Sequence, residues 1–286
     1  MLPSFWIRPA CRIVSSRYNG HRLQRVRQAT VLGGPSNVGK SECGLVKTRV
    51  VVPTYNEKEN LPYLVTRLLA QPLDLGIIIV DDASPDGTGE IADRLAAEHD
   101  NRVQIVHRAG KLGLGTAYIA GFQQALLEPD VDLIVTMDAD FSHPPEKIPE
   151  MVAKVAEGYD LVIGSRYVPG GRAVECTLPR RMLSWGANAF ARVLLSLKVR
   201  DTTAGFRCYR REVLVSIALD EIFSDGYSFL MEMLYKVQRR GWRIGEVPIV
   251  FHNRQQGVSK ISRAEIYKAL YTVLRLFRAR LLAGRL

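Results

Sequence analysis

Cysteine is scarce in this chain, with Cys11, Cys43, Cys176 and Cys208 the only four among 286 residues. No two of them form a Cys-x-x-Cys pair, so neither a disulfide framework nor a zinc ribbon is expected, and a reducing compartment fits. Long apolar runs are also missing. No window reaches the roughly 18 consecutive apolar residues of a spanning helix. Acidic residues are almost absent from positions 1–49, which hold nine Lys or Arg and the single acid Glu42. Arg8, Arg12 and Arg17 interrupt every apolar stretch there, which excludes the h-region of a secretory signal.

The hydrophobic share of 47% and charged share of 24% are those of an ordinary globular protein, and exclude a fully disordered, collagenous or coiled-coil chain. The net charge of +10 is concentrated at the ends. Residues 1–49 carry +8, and residues 261–286, with six basic residues and one acid, carry +5. The body, residues 50–260, has 24 basic and 27 acidic residues and a charge of −3. A nucleic-acid binder more often carries its basic charge on the folded domain, so no nucleic-acid partner is expected. Basic ends suit an anionic membrane surface, a targeting segment or a solvated tail. Residues 1–48, Arg-rich and without sustained periodicity, read as a basic, disordered leader.

Within that leader, Gly34-Pro-Ser-Asn-Val-Gly39-Lys40-Ser41 matches the phosphate-binding P-loop pattern. The chemistry needs a buried strand before the loop and a helix after it, whose N-terminal amides hold the phosphates. Here Gly44 interrupts the stretch that follows, and the apolar run Val50–Val52 leaves no room for a crossover helix. The match reads as accidental. A P-loop nucleotide-binding protein remains the alternative from a different functional class, beside a catalytically silent membrane-binding module.

From Arg49 onward, strands alternate with amphipathic helices, the pattern of an α/β domain. Val50–Val52, Ile77–Val80, Val103–Val106, Leu133–Met137 and Leu161–Ile163 read as strands. Helices are expected around Leu61–Leu69, with Pro62 in the first turn, around Ile91–Leu95, over Thr116–Leu127 and over Glu146–Glu157. The expectation is an open, doubly wound and mostly parallel sheet. Ligands of such sheets bind beyond the carboxyl ends of the strands. Every strand here ends in polar or permissive residues: Pro53–Glu57, Asp81–Asp86, the Lys111–Gly115 loop, Asp138–Asp140 and Gly164–Arg166. Five such endings on one edge predict a single site.

Asp138 and Asp140 follow the Leu133–Met137 run directly, and residues i and i+2 of a strand point the same way. Two carboxylates so placed suit a hard divalent cation, Mg²⁺ or Mn²⁺, that holds a diphosphate with few protein ligands. One of Asp81 and Asp82 can accept hydrogen bonds from a base or ribose hydroxyl, whereas Asp86 reads as a helix-capping turn. Gly113-Leu-Gly115 lacks the third glycine of the dinucleotide fingerprint, Tyr118 standing in its place, which disfavours a nicotinamide site. Arg254 and Lys260 flank Gly257 and Ser259 in a basic loop able to close over a diphosphate and exclude water.

Taken in order, Pro53-Thr-Tyr-Asn-Glu57, Asp82-x-Ser-x-Asp86, Lys111-Leu-Gly-Leu-Gly-Thr-Ala, Asp138-Ala-Asp140-x-Ser-His and Gly164-Ser-Arg-Tyr resemble a family-2 glycosyltransferase of the GT-A fold. The stretches Asp201–Arg207, Gly226–Met233, Gly245–Ile249 and Arg254–Lys260 extend the similarity to about 49–275, closest to the dolichyl- or polyprenyl-phosphate mannosyltransferase type. The resemblance implies a GT-A domain over 49–260 followed by an amphipathic basic helix over 261–286. It implies a nucleotide-sugar donor, usually GDP-mannose, held by Pro53, Tyr55, Glu57, Val80 and Asp82. Asp138, Ala139 and Asp140 match the metal–diphosphate motif, with Asp138 and Asp140 as the metal ligands. Arg166, Arg254 and Lys260 match basic positions around the two phosphates. Arg180 and Ser184 fall where the acceptor phosphate is expected, with Arg181 a neighbouring register. Asp140 and Arg166 carry the catalytic expectation. Ser142 stands where some relatives supply a further ligand, and that role is not carried over. Glu232 stands where some relatives place a base, and reads better as a packing residue. A UDP-sugar donor such as UDP-glucose is the alternative within the same fold.

The implied acceptor is a lipid monophosphate such as dolichyl or another polyprenyl phosphate. Its second pKa is about 6, so it is already largely a dianion at neutral pH and needs no strong base. The expected reaction is direct displacement with inversion. Such an acceptor requires the membrane surface, on the cytoplasmic face. Ile266, Leu270, Val273, Leu274, Phe277 and Leu281 recur on one helical face, with Arg263, Lys268, Arg275, Arg278 and Arg280 around it. That pattern suits either an interfacial helix or a terminal helix docked on the domain. The resemblance also allows separate membrane-anchoring subunits.

Overall fold

A computed structural model describes residues 46–174, 178–252 and 263–283, apart from the side chains of 178–181, 263, 264 and 283. The P-loop match and the segment with Arg254 and Lys260 lie outside the described residues.

The first half alternates as the periodicity requires: β1 (Thr48–Thr54), α1 (Leu61–Leu69), β2 (Leu75–Asp81), α2 (Thr88–His99), β3 (Val103–His107), α3 (Leu114–Leu126), β4 (Leu133–Thr136), α4 (Ile148–Ala156) and β5 (Leu161–Ser165). Pro62 sits in the first turn of α1, where its missing N–H costs nothing. The helix expected from Glu146 begins as a 3₁₀ turn, Pro145–Lys147, and becomes α-helical only at Ile148. The second half adds β6 (Arg172–Val174), α5 (Leu178–Leu195), β7 (Arg207–Arg210), α6 (Arg211–Ser216), α7 (Tyr227–Arg239), β8 (Ile244–Pro248), β9 (Val250–His252) and α8 (Arg263–Ala283).

Seven strands form one sheet in the order β3-β2-β1-β4-β7-β5-β8. All run parallel except β7, which is antiparallel to both β4 and β5. Alternate side chains along β1 and β2 enter opposite cores. Val51, Ile78 and Val80 face α3, α5, α7 and α8, while Val50, Val52, Ile77 and Ile79 face α1, α2 and α4. Gly121 lets α3 lie close on β1, since a Cβ there would collide with Val51 Cγ1.

The face expected on the last helix divides in two. Val273 and Leu276 are buried, and Ala269 and Phe277 pack beside them in the core shared with α5 and α7. The Arg280 Nη1–H donates to the Leu194 carbonyl at 3.1 Å and to Ser196 Oγ at 2.6 Å. Ile266, Leu270, Leu274 and Leu281 instead remain exposed, as do Met182, Trp185 and Val193 on α5. The helix therefore docks on the domain and still presents an apolar stripe. Among the described residues, no helix is long and apolar enough to cross a membrane.

Candidate active site

Strand register aligns the expected residues. Thr54 of β1 lies opposite Asp81 of β2, which lies opposite His107 of β3, and Thr136 of β4 is level with Arg207 at the start of β7. The segments after β1, β2 and β4 each contain a non-glycine residue in the left-handed region: Asn56 (φ 60°), Ala83 (φ 52°) and Phe141 (φ 59°). Conformations of this kind persist where surrounding contacts hold them, and they cluster at functional sites.

The edge beyond β1 and β2 holds two adjacent carboxylates in different settings. Asp81 is consumed internally: it accepts hydrogen bonds from Thr54 Oγ1 (2.9 Å), Ser84 N (3.0 Å) and Ser84 Oγ (2.6 Å). Asp82 is buried and receives the Arg108 Nη1–H at 2.5 Å. Burial pushes the Asp82 carboxyl above its ordinary range, and the Arg108 charge pulls against that. The Arg108 Nη2–H also donates to Thr116 Oγ1 at 2.6 Å, which joins Asp82 to the first turn of α3. The Lys111 ammonium sits 3.7 Å over the Tyr55 ring. Glu57 is buried, with its Oε2 accepting from Asn60 Nδ2 at 2.8 Å. Val80 and Ala139 point their side chains into the cores, so any contact they make with a ligand is through the main chain. Asp86 behaves as a turn former, accepting from Thr88 N and Oγ1. Burial raises its pKa, but these bonds outweigh it and leave the carboxyl below its ordinary range.

The acid pair is held from behind. The Asp138 Oδ1 accepts from the buried Tyr118 hydroxyl at 3.0 Å, and the Asp138 amide donates to His143 Nδ1 at 3.0 Å. That bond places the neutral His143 proton on Nε2. His143 is stacked on Phe206. Asp140 Oδ1 accepts from the Ser142 amide at 3.1 Å. The Ser142 Oγ is buried without a hydrogen-bond partner. Two carboxylates and an orphaned hydroxyl oxygen are a donor set that fits a hard divalent cation, whose remaining ligands come from phosphate and water.

Arg166 follows β5 and is fixed by a residue 35 positions away. Its Nε–H and Nη2–H donate to the two oxygens of Asp201 at 2.8 and 2.7 Å, and Nη2–H also reaches Thr203 Oγ1 at 2.7 Å. Asp201 is fully buried. Burial alone would raise its carboxyl, but the Arg166 charge and hydrogen bonds outweigh it and leave the pKa below the ordinary range. Beside Arg166, the Tyr167 hydroxyl donates to Ser184 Oγ at 2.9 Å, which brings α5 to this point. Arg180 lies one turn earlier on α5, and its side chain lies outside the described residues. Glu232 is buried in α7, where Oε2 accepts from Ser224 N (3.0 Å) and Oγ (2.5 Å). Its Oε1 is buried without a hydrogen-bond partner, 3.5 Å from Lys236 Nζ.

Sequence reasoning missed the supports: Arg108, His143, Asp201, Thr203 and Arg207. All but Arg108 lie in the stretches Asp138–His143 and Asp201–Arg207 that carry the resemblance, where no separate role was assigned to them.

The family model described as Glycosyl transferase family 2 matches residues 49–217. The chain belongs to that family. Within this glycosyltransferase family, a polyprenol monophosphomannose synthase of Mycolicibacterium smegmatis is 45% identical over 227 residues, covering 79% of this chain and 85% of that protein. An undecaprenyl-phosphate mannosyltransferase of Micrococcus luteus is 46% identical over 230 residues, 80% of this chain and 93% of that protein. Among solved structures, glucosyl-3-phosphoglycerate synthase from Mycobacterium tuberculosis, crystallised with Mn²⁺, UDP and glucosyl-3-phosphoglycerate, superposes with a TM-score of 0.58 at 20% identity, covering 80% of this chain and 79% of that one. That likeness is one of fold.

Proposed function

We propose that this glycosyltransferase moves mannose from GDP-mannose to a polyprenyl monophosphate, with inversion at the sugar carbon. The observation that carries the reading is the juxtaposition, on one sheet edge, of the buttressed pair Asp138/Asp140 with the Arg166–Asp201 clamp. The two relatives above, matched over 85% and 93% of their own lengths and acting by their names on polyprenol or undecaprenyl phosphate, support the acceptor class.

Asp138 and Asp140 would hold Mg²⁺ or Mn²⁺, which when bound would supply charge neutralisation for the departing diphosphate. Pro53, Tyr55, Glu57 and Asp82 line the donor side. Arg166, with Arg180 and Ser184 from α5, holds the acceptor phosphate beside the donor. Arg254 and Lys260 add positive charge around the diphosphate. Three of the five Arg166 N–H groups are committed to Asp201 and Thr203, so the guanidinium is oriented before the acceptor arrives. Pre-orientation of this kind lowers the cost of aligning nucleophile and sugar. The lipid phosphate is itself the nucleophile, and no side chain need remove a proton from it.

The acceptor sits in a bilayer, and the apolar stripe on α8 with the neighbouring α5 face is the surface that meets it, at the cytoplasmic face and with or without small anchoring subunits. The test is a donor panel, with GDP-mannose, UDP-glucose and UDP-galactose each offered with a short polyprenyl phosphate and Mn²⁺ or Mg²⁺. Transfer from GDP-mannose alone, abolished by chelator, is the expected result. Preferential use of UDP-glucose would transfer the reading to the alternative donor.

A further inference from the structure

Among the described residues, Arg207 is the largest side chain that is fully buried. A buried guanidinium is costly unless its donors are matched. Here every recorded acceptor is a neutral oxygen: the Ala204 carbonyl takes Nε–H at 2.8 Å, the Thr202 carbonyl takes Nη2–H at 3.1 Å, and Nη1–H serves the Leu230 carbonyl at 2.8 Å and the Tyr209 hydroxyl at 3.4 Å. Two of these carbonyls belong to the segment 201–205, and the third lies in the first turn of α7.

That segment touches both halves of the site. Asp201 and Thr203 hold the Arg166 guanidinium. Gly205 lies beside Tyr118, His143 and Asp138, and its carbonyl accepts from Thr136 Oγ1 at 2.7 Å. From the α5 side, Asn188 Oδ1 accepts from Thr202 N (2.7 Å) and Thr202 Oγ1 (2.9 Å). The acid pair has its own supports in Tyr118 and His143, whereas the Arg166 guanidinium is held from this segment by Asp201 and Thr203.

We propose that Arg207 is a positioning residue for the transfer: it clasps the 202–204 backbone and thereby sets where the Arg166 guanidinium stands relative to Asp138 and Asp140. The inference rests on the acceptor-side reading of Arg166 given above. Lysine keeps the charge at this position but concentrates its donors on one nitrogen, so it cannot serve carbonyls on three sides.

The test compares R207K and N188A with the wild type, using GDP with Mn²⁺ for donor-site binding and GDP-mannose with a short polyprenyl phosphate for turnover. Binding stoichiometry for GDP counts the correctly folded molecules. The expected result is full stoichiometry and a donor dissociation constant within about twofold of wild type, with acceptor kcat/KM lower by roughly tenfold to a hundredfold in both variants. A purely structural role would lower stoichiometry and turnover in proportion, leaving turnover per folded molecule unchanged. Acceptor kcat/KM within about twofold of wild type in a fully GDP-binding R207K overturns the proposal. If R207K does not fold, the same comparison on N188A decides. Loss of GDP binding in both variants also counts against it, because the acid pair is argued to stand without the clasp. A wild-type chain that transfers no mannose to polyprenyl phosphate sinks the functional reading instead, and is distinguishable by that control.

Discussion

Asp138 and Asp140 were legible at the level of single residues because the strand-end rule needs only local sequence: an apolar run followed by acids places them on the binding edge. Arg166 was legible as a charge but not as a clamp, since its partner Asp201 lies across a helix and a loop. This pairing changes what its removal should do. R166A leaves a fully buried carboxylate without its cation, so a stability loss of about 3–5 kcal/mol is expected by chemical denaturation, in addition to any loss of acceptor use. The sign with pH follows. In the wild type the Asp201 pKa is depressed, so its contribution is complete above the ordinary carboxylate range and is lost as pH falls through the depressed value. In R166A the buried carboxyl loses the guanidinium and keeps only the main-chain N–H of residue 166 and the Thr203 N–H and hydroxyl against burial, so protonation relieves it more readily. The stability gap between variant and wild type should therefore narrow on acidification, and a gap independent of pH would refute the clamp. Glu128 offers a parallel case away from the site. Burial would raise its pKa, but bonds from Arg49 and Lys47 lower it from 4.5 to about 2. The stability it contributes is present above 4.5 and lost between 4.5 and about 2, and E128Q should flatten that part of the acid titration. For the acid pair itself, D140N should lower metal-dependent transfer by about a hundredfold or more with an unchanged melting temperature, while K40A should leave the rate unaltered. The reverse pattern would favour the P-loop.

Among the elements, the five strands and four helices up to Ser165 were readable because short continuous apolar runs there alternate with period-3.6 patterns and are punctuated by Gly, Pro and Asp. β7 was not. It is four residues, Arg207–Arg210, with a cation at each end, and only its insertion between β4 and β5 makes it a strand. The last helix was half legible. Its apolar residues were read as one face, because hydrophobicity alone does not distinguish a docked stripe from an exposed one lying a fraction of a turn away. The two stripes should separate by mutation. L276A, in the docked face, should cost about 2–5 kcal/mol of stability. L274E, at a side chain 44% exposed, should leave the melting temperature close to wild type and weaken binding to lipid vesicles. Equal vesicle binding by L274E and wild type would remove the exposed stripe from the membrane contact. Point substitutions are the proper probes here. Deleting the helix would strip Val273 and Leu276 from the core and confound folding with attachment.

At the scale of the whole molecule, basic charge lies at both ends of the chain and exposed apolar surface on α5 and α8, and their contributions to attachment can be pulled apart. The body, at −3 over residues 50–260, has little to gain from anionic lipid, whereas residues 1–49 and the last helix are both basic. Each Lys or Arg close to an anionic surface contributes up to about 1 kcal/mol, screened beyond roughly 8–10 Å at physiological salt. Burial of the α8 and α5 apolar residues is not screened in this way. A chain beginning at Thr48 should therefore bind anionic vesicles more weakly than the full chain at low salt, and the two should converge as salt rises. What remains at high salt should be the apolar contribution, present on neutral vesicles too and diminished by L274E. Turnover of long-chain polyprenyl phosphate in vesicles should follow that residual binding, while affinity for GDP with Mn²⁺ stays constant throughout. Complete detachment of the shortened chain at every salt concentration would assign the membrane contact to the leader and leave the exposed stripe on α8 without a role in it.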